Sequence, residues 1–388
     1  MSVAFREGNQ ITLLRSGAEY FPALEAAIEA AQHSIHLETY IFADDAAGRR
    51  IAGALLAAAA RGVRTDVIVD GFGSKRFLGT LSDVLAAGDV RVLVFRSDIY
   101  PWNFGRHRLR RMHRKLAVID GSVAFVGGIN IIDDMHTPGH TPPRFDYAVR
   151  IEGPVLEAVS EQAEQLWTLT AWASLRQQWA LEQPPSLAPR PMQRGFQRAA
   201  FLVRDNFRHR SDIEDAYLEA IEGAEEEIVI ASAYFFPGRR FRRALTQAAA
   251  RGVRVVLLLQ GRVEYVLLHY ASRALYGALL DAGVEIQEYT RSFLHAKVAV
   301  VDGEWATVGS SNIDPFSLLL GRECNIVAHD RRFAQELRES LERAMADGAE
   351  PVVRQRWRRQ PLMRRVKIWI AYGIARFLMG MFGYARMR

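Results

Sequence analysis

Cysteine is nearly absent from this chain of 388 residues: Cys324 stands alone, so no disulfide can close within it and no thiolate zinc site can be built. A reducing compartment, or indifference to redox state, follows. Lysine is almost as scarce, with Lys75, Lys115, Lys297 and Lys367 the four lysines among fifty basic residues. Where arginine has taken nearly every basic position, a remaining lysine is a candidate for a specific task. The opening MSVAFREGNQ carries Glu7 and no apolar core of signal length, which predicts no secretory signal, no N-terminal membrane span and a cytoplasmic start. With 49% apolar and 24% charged residues, the composition excludes a disordered, collagenous or multi-span membrane protein. The length suffices for two domains with large cores.

Acidic residues are missing from one region. From Pro351 to Arg388 there are ten basic residues and no acidic one, whereas residues 1–350 hold 40 basic against 44 acidic. The net charge of +6 is therefore a body at −4 joined to a tail at +10. A mildly acidic body speaks against a nucleic-acid partner, which would call for a continuous basic groove with stacking aromatics. In the tail, Ile370, Ile374, Phe377 and Met381 recur at helical spacing with Leu378 beside them, while Arg365, Trp369, Tyr372 and Arg376 lie opposite. The apolar stretch 366–385 is interrupted by Lys367, Arg376 and three glycines, so a helix lying on an anionic membrane fits better than a span. A helix packed on the body or on a partner is the alternative.

The chain is internally duplicated. IEAAQHSIHLETYIF (28–42) resembles IEGAEEEIVIASAYF (221–235), and AARGVRTDVIVDG (59–71) resembles AARGVRVVLLLQG (249–261). The copies are separated by QPPSLAPRPMQRG (183–195), whose four prolines continue neither helix nor strand. Strands are predicted near 34–42, 65–70, 90–95, 115–119, 123–127 and 146–151, then near 227–235, 254–259, 283–288, 297–301, 305–309 and 323–328. That is an α/β sandwich made twice, with a first half at 1–182, a linker at 183–195, a second half at 196–350 and a tail at 351–388.

The duplication carries chemistry at HRKLAVIDG (113–121) and HAKVAVVDG (295–303). Both fit His-x-Lys-x4-Asp, and each is followed by an asparagine, Asn130 or Asn312, at the same offset. One such match is expected by chance about 0.005 times in a chain of this composition, so two copies in register are not accidental. Strand parity puts His113 with Lys115, and His295 with Lys297, on one face. Asp120 and Asp302 have the opposite parity and precede glycine, as in a hairpin turn, which gives them mainly the task of holding the motif. Two imidazoles, two ammonium groups and two amides converging on one point suit a phosphodiester phosphorus. One histidine attacks, the other protonates the departing alcohol, and lysines and asparagines stabilise the non-bridging oxygens. No metal or other cofactor is needed.

These motifs resemble those of the phospholipase D superfamily, and the resemblance covers residues 10–350. It implies two α/β/α sandwich domains related by a pseudo-twofold axis, with the active site at their interface. It also implies His113 as nucleophile and His295 as general acid and base, each oriented by a downstream carboxylate, Asp146 in RFDYAVRIEG or Glu323 in GRECNIVAHD, with the pairing left open. Gly128 stands where the family often has serine, so Ser310 would contact phosphate in one half only. HRKLAVIDGSVAFVGGIN, LETYIFADDAAGRRIAGAL and SAYFFPG look most like the cardiolipin synthases, in the shorter class without N-terminal spans. Such enzymes transfer a phosphatidyl group between two phosphatidylglycerol molecules and release glycerol. A peripheral place on the cytoplasmic side of the cell membrane is then expected. Hydrolysis of phospholipid, or a nuclease activity, is the alternative.

Two loops complete the reading. RHRLRRMHRK (106–115), led by IYPWNFG (99–105), is expected at the mouth of the site, with arginines for phosphate and aromatics toward lipid. The loop 135–145 is expected to act as a lid, with His136 and His140 as loop polar groups and not ligands.

Overall fold

A computed structural model describes residues 3–96, 111–137, 139, 141–181, 192–205, 208–263, 265–314 and 321–381. The predicted mouth segment 99–110, His140 and most of the linker 183–195 lie outside the described residues. The apolar, β-branched runs form strands much as their composition demands. In the first half Ser34–Thr39, Arg64–Asp70 and Arg91–Phe95 run parallel, and Leu116–Ile119, Val123–Gly127 and Tyr147–Glu152 continue the sheet antiparallel. The second half repeats this with Glu227–Ser232, Arg254–Gln260, Glu285–Tyr289, Lys297–Val301, Trp305–Gly309 and Gly321–His329.

Two strands absent from the sequence reading join these halves. Arg6–Arg15 pairs antiparallel with Tyr147–Glu152 on one side and with Gln197–Arg204 on the other, and Gln197–Arg204 pairs with Gly321–His329. The result, among the described residues, is one sheet of sixteen strands that runs through both halves. REGNQITLLR and QRAAFLVR are mixed in polarity, and a weak alternation is easily passed over when the partner strands are not known.

The seam also has its own core. Helices Leu156–Ala173 and Arg331–Gly348 cover one face, packing Val159, Ala163, Leu337 and Leu341 against Ile11, Val118 and Val298. On the opposite face each half keeps separate helices, Ser16–Ala30 and Ala46–Ala60 in the first, Asp212–Gly223 and Arg239–Ala250 in the second. Strand alternation divides the labour: Leu116 and Val118 face the shared core, and Ala117 and Ile119 face the first half's own.

Two short parallel pairings cross between the halves. Arg111–Met112 pairs with the start of Gly321–His329, and Phe293–Leu294 pairs with Arg144–Phe145, inside the loop expected to act as a lid. The residue that follows each crossing is a motif histidine. The amide of His113 donates to the carbonyl of Arg322 at 2.9 Å, and that of His295 to the carbonyl of Phe145 at 2.8 Å.

The tail forms helix Leu362–Met381 and corrects the faces assigned to it. Ile368, Ala371 and Ala375 are buried along helix Val266–Arg273, and Tyr372 packs its ring 5.8 Å from that of Phe236. Tyr372 therefore belongs to the docked face. Trp369, Ile370, Ile374 and Phe377 remain exposed, with Leu362, Met363 and Val366 continuing the stripe. The alternative reading, a helix packed on the body, holds for one face, and the other face is left exposed. No helix among the described residues is long and apolar enough to cross a membrane.

Candidate active site

Each motif begins by bracing its own hairpin. Asp120 and Gly121 have φ of 51° and 58°, and Asp302 and Gly303 have 50° and 63°, the double left-handed turn that Asp-Gly favours. The side chain of Asp120 accepts from the amides of Gln32, His33 and Ser34, and that of Asp302 from the amides of Glu225, Glu226 and Glu227. Both aspartates thus tie the motif to the start of the adjacent strand, and neither reaches the histidines. Strand Leu116–Ile119 begins just after Lys115, and strand Lys297–Val301 begins at Lys297.

The histidines are oriented across the halves. His113 Nδ1 lies 3.0 Å from both carboxylate oxygens of Glu323, and His295 Nδ1 lies 2.6 Å from Asp146 Oδ2. A carboxylate only accepts, so the His113 Nδ1 that faces Glu323 carries the proton and its Nε2 is left with a lone pair. The side chains of His113 and His295 keep 19% and 12% exposure while the two carboxylates are essentially sealed, so the rings are what an incoming molecule meets.

Burial and two lysines set the charge state. Lys115 Nζ donates to the carbonyl of His113 at 2.7 Å. Lys297 Nζ donates to the carbonyl of His295 and to Asp146 at 3.4 Å, and lies 2.8 Å from His295 Nδ1. Burial, then the Lys297 ammonium, pushes His295 down to about 3. Burial also lowers His113, with Glu323 opposing and Lys115 and Lys297 adding. Burial pushes Lys115 down to about 7, with Lys297 adding to the fall. Burial raises Asp146, but Lys297 and His295 outweigh it and hold the carboxyl below its usual range. Lys297 acts on groups of the first motif, so the two motifs share one electrostatic environment.

The remaining candidates divide. Asn312 is buried and lines a cavity with His113, and its Oδ1 has no hydrogen-bond partner among the described residues. Asn130 is also buried, but its Oδ1 accepts from the amide of Ile41 at 3.0 Å, leaving Nδ2 to donate. Ser310, expected to contact phosphate, faces a carboxylate in this structure. Its hydroxyl is fully buried and donates to Glu323 Oε2 at 2.6 Å, so it steadies the carboxylate behind His113. At the matching Gly128 a side chain would overlap the Asp146 carboxylate, which explains the glycine.

Sequence reasoning missed three neighbours of the first motif. Tyr40 sets its ring edge-on to His113 at 4.9 Å and lies 5.4 Å below the Lys115 ammonium. Beneath them, Arg114 and Glu38 form a buried ion pair at 2.8 Å, and Glu38 also meets His36 at 3.0 Å. A glutamate inside the apolar strand SIHLET, and an arginine between the motif's histidine and lysine, were the available signals.

Comparison with known proteins gives the family and the fold. A family model described as "Cardiolipin synthase, PLD-like domain" matches residues 24–167 and 217–345, one block in each half. The chain is 43% identical over 356 residues to cardiolipin synthase B of Escherichia coli (strain K12), covering 91% of this chain and 84% of that protein. It is 33% identical to cardiolipin synthase A of Pseudomonas entomophila (strain L48), covering 86% and 68%. Among solved structures, phosphatidylserine synthase of Haemophilus influenzae Rd KW20 superposes with a TM-score of 0.65 at 14% identity, over 88% of this chain and 87% of that one, a likeness of fold. With both halves matched and the duplicated His-x-Lys-x4-Asp motif folded into one site, this chain belongs to the phospholipase D-like cardiolipin synthase family.

Proposed function

We propose that the chain makes cardiolipin by transferring a phosphatidyl group from one phosphatidylglycerol to another. The crossed pairing of His113 with Glu323 and His295 with Asp146 carries the proposal, because it leaves two imidazole Nε2 atoms oriented and one lone pair ready to attack. His113 Nε2 bonds to phosphorus, the bond from phosphorus to the glycerol headgroup breaks, and His295 gives its proton to the departing oxygen. Both rings are held neutral in the free protein, so the substrate's negative charge, set against Lys115 and Lys297, is what raises His295 enough to take up from water the proton that it then gives to the departing oxygen. In the second step His295 takes the proton of a hydroxyl on the second phosphatidylglycerol. Its oxygen bonds to phosphorus, and the bond to His113 breaks. Lys115, Lys297, Asn130 and Asn312 stabilise the non-bridging oxygens.

The exposed stripe on helix Leu362–Met381, flanked by Arg365, Lys367 and Arg376, supports peripheral attachment to the cytoplasmic leaflet. Each basic residue near an anionic leaflet contributes about 1 kcal/mol. The purified chain, given phosphatidylglycerol vesicles, is expected to release one glycerol per cardiolipin. Phosphatidic acid as the sole product would replace transfer by hydrolysis. In flotation with the same vesicles, Trp369→Glu with Phe377→Glu should lose binding, and unchanged flotation would remove the tail from this role.

A further inference from the structure

A cavity of about 370 Å³ opens directly beside His113. One part of its wall is polar and belongs to the site: His113, Asn312 and Asp314. The rest is apolar or aromatic and comes from the body's helix Val266–Arg273 and the tail: Leu267, Leu268 and Ala375, with Tyr234 and Tyr265 in edge contact at 5.6 Å. The volume falls within the roughly 300–1,000 Å³ typical of small-molecule sites, and a mostly apolar wall with a few polar groups at one place is their usual character.

What such a cavity takes is set by what lies at its two sides. A phosphorus held at His113 bears two ester arms. The headgroup arm is the one that leaves, and the other leads through glycerol to hydrocarbon. On the tail helix, Ala375 faces the cavity while its neighbours Ile374 and Phe377 belong to the exposed apolar stripe. One helix therefore presents apolar surface to the bilayer on one face and walls the reaction cavity with another. Resting on the activity proposed above, we propose that this cavity holds an acyl chain of the phosphatidyl donor, drawn in along helix Leu362–Met381. The tail is then part of the substrate site as well as an anchor. A headgroup or a soluble phosphodiester would gain nothing from Leu267, Leu268 and Ala375, whereas a hydrocarbon chain is taken out of water there.

The test uses the full chain carrying His295→Ala, which makes turnover slow against the time of irradiation, on vesicles of phosphatidylglycerol with a photoactivatable diazirine in one acyl chain. After irradiation, labelled peptides are mapped. Labels are expected on Leu267, Leu268 or Ala375 as well as on the outer stripe at Ile374 and Phe377. Filling the cavity by Ala375→Phe, or independently by Leu268→Phe, should cut the inner labels by about tenfold and leave the outer ones, which also shows that each variant still folds and binds. Labelling confined to the outer stripe before any filling, or inner labels that persist after both fillings, overturns the proposal. Failure of the unaltered chain to make cardiolipin would instead sink the proposed activity, and the labelling map is read independently of it.

Discussion

The two motif regions share a backbone but not a set of supports, and the contrast separates what the chemistry requires from what each half does to hold it. In both, an aspartate in a left-handed turn ties the motif to the neighbouring strand, and a histidine reaches a carboxylate of the opposite half. Behind His295 stands the short Asp146, pressed against Gly128 with no room for a side chain. Behind His113 stands the longer Glu323, steadied by Ser310. Below the first motif lies the buried pair of Glu38 and Arg114, where the second has Ala231 and Ala296. The equivalence is structural as well as sequential, since Glu38 pairs across the sheet with Leu116 and Ala231 with Val298. Tyr40 beside His113 likewise answers to Ala233. The parts that touch phosphate in the proposed reaction are repeated, as are the turn aspartates that tie them down, whereas the parts that differ only hold them.

The largest effect should come from breaking the assigned difference between the histidines. His113→Ala is expected to lower turnover by about 10⁴-fold or more and to abolish any covalent phosphoenzyme. His295→Ala should cost about 10²- to 10⁴-fold, the usual range for a general acid and base, and still form the phosphoenzyme slowly. Rapid quench with a labelled headgroup phosphate distinguishes them, and a phosphoenzyme surviving in His113→Ala would reverse the roles.

Next comes the buried ion pair. Glu38→Ala leaves Arg114 buried without its carboxylate and should destabilise the fold by about 3–5 kcal/mol in denaturant titration. The double change Glu38→Ala with Arg114→Ala copies the second half and should recover much of that loss. No recovery would mean that the first half cannot accept the apolar solution of the second.

Exchanging the supports behind the histidines should have unequal effects. Gly128→Ser forces a side chain into Asp146 and is expected to cost about 1–3 kcal/mol along with activity, because Asp146 orients His295. Ser310→Gly removes one hydrogen bond from Glu323 and should cost about 1 kcal/mol. Thermal unfolding and turnover measured on both variants check the order, and equal losses would refute the asymmetry.

The smallest effect is a pH limb. Lys115, held down to about 7, loses its charge as pH rises through that value, so binding of the anionic substrate should be intact below it and weaken above it. In the Kd for phosphatidylglycerol this predicts a basic limb near pH 7, with binding weakening as the ammonium charge is lost. Lys115→Arg should move the limb out of the neutral range, since a guanidinium stays charged. A limb unmoved by that change would assign it elsewhere.

Repetition made the catalytic pieces legible in the amino-acid order alone. Two His-x-Lys-x4-Asp copies name His113, Lys115, His295 and Lys297 without reference to any contact, and Asp-Gly names the turns, because these are local rules of spacing and dihedral preference. The +10 tail was equally plain, since charge and helical period are read directly from residue order. The seam strands Arg6–Arg15 and Gln197–Arg204 were not, because their identity lies in pairing with segments well over a hundred residues away. For the same reason tertiary structure alone decided that Glu323 serves His113 and Asp146 serves His295, and that Ser310 serves a carboxylate. It also decided which face of the tail helix docks. A one-dimensional pattern carries the period of an element and the charge along it, but not which distant surface comes to lie against it.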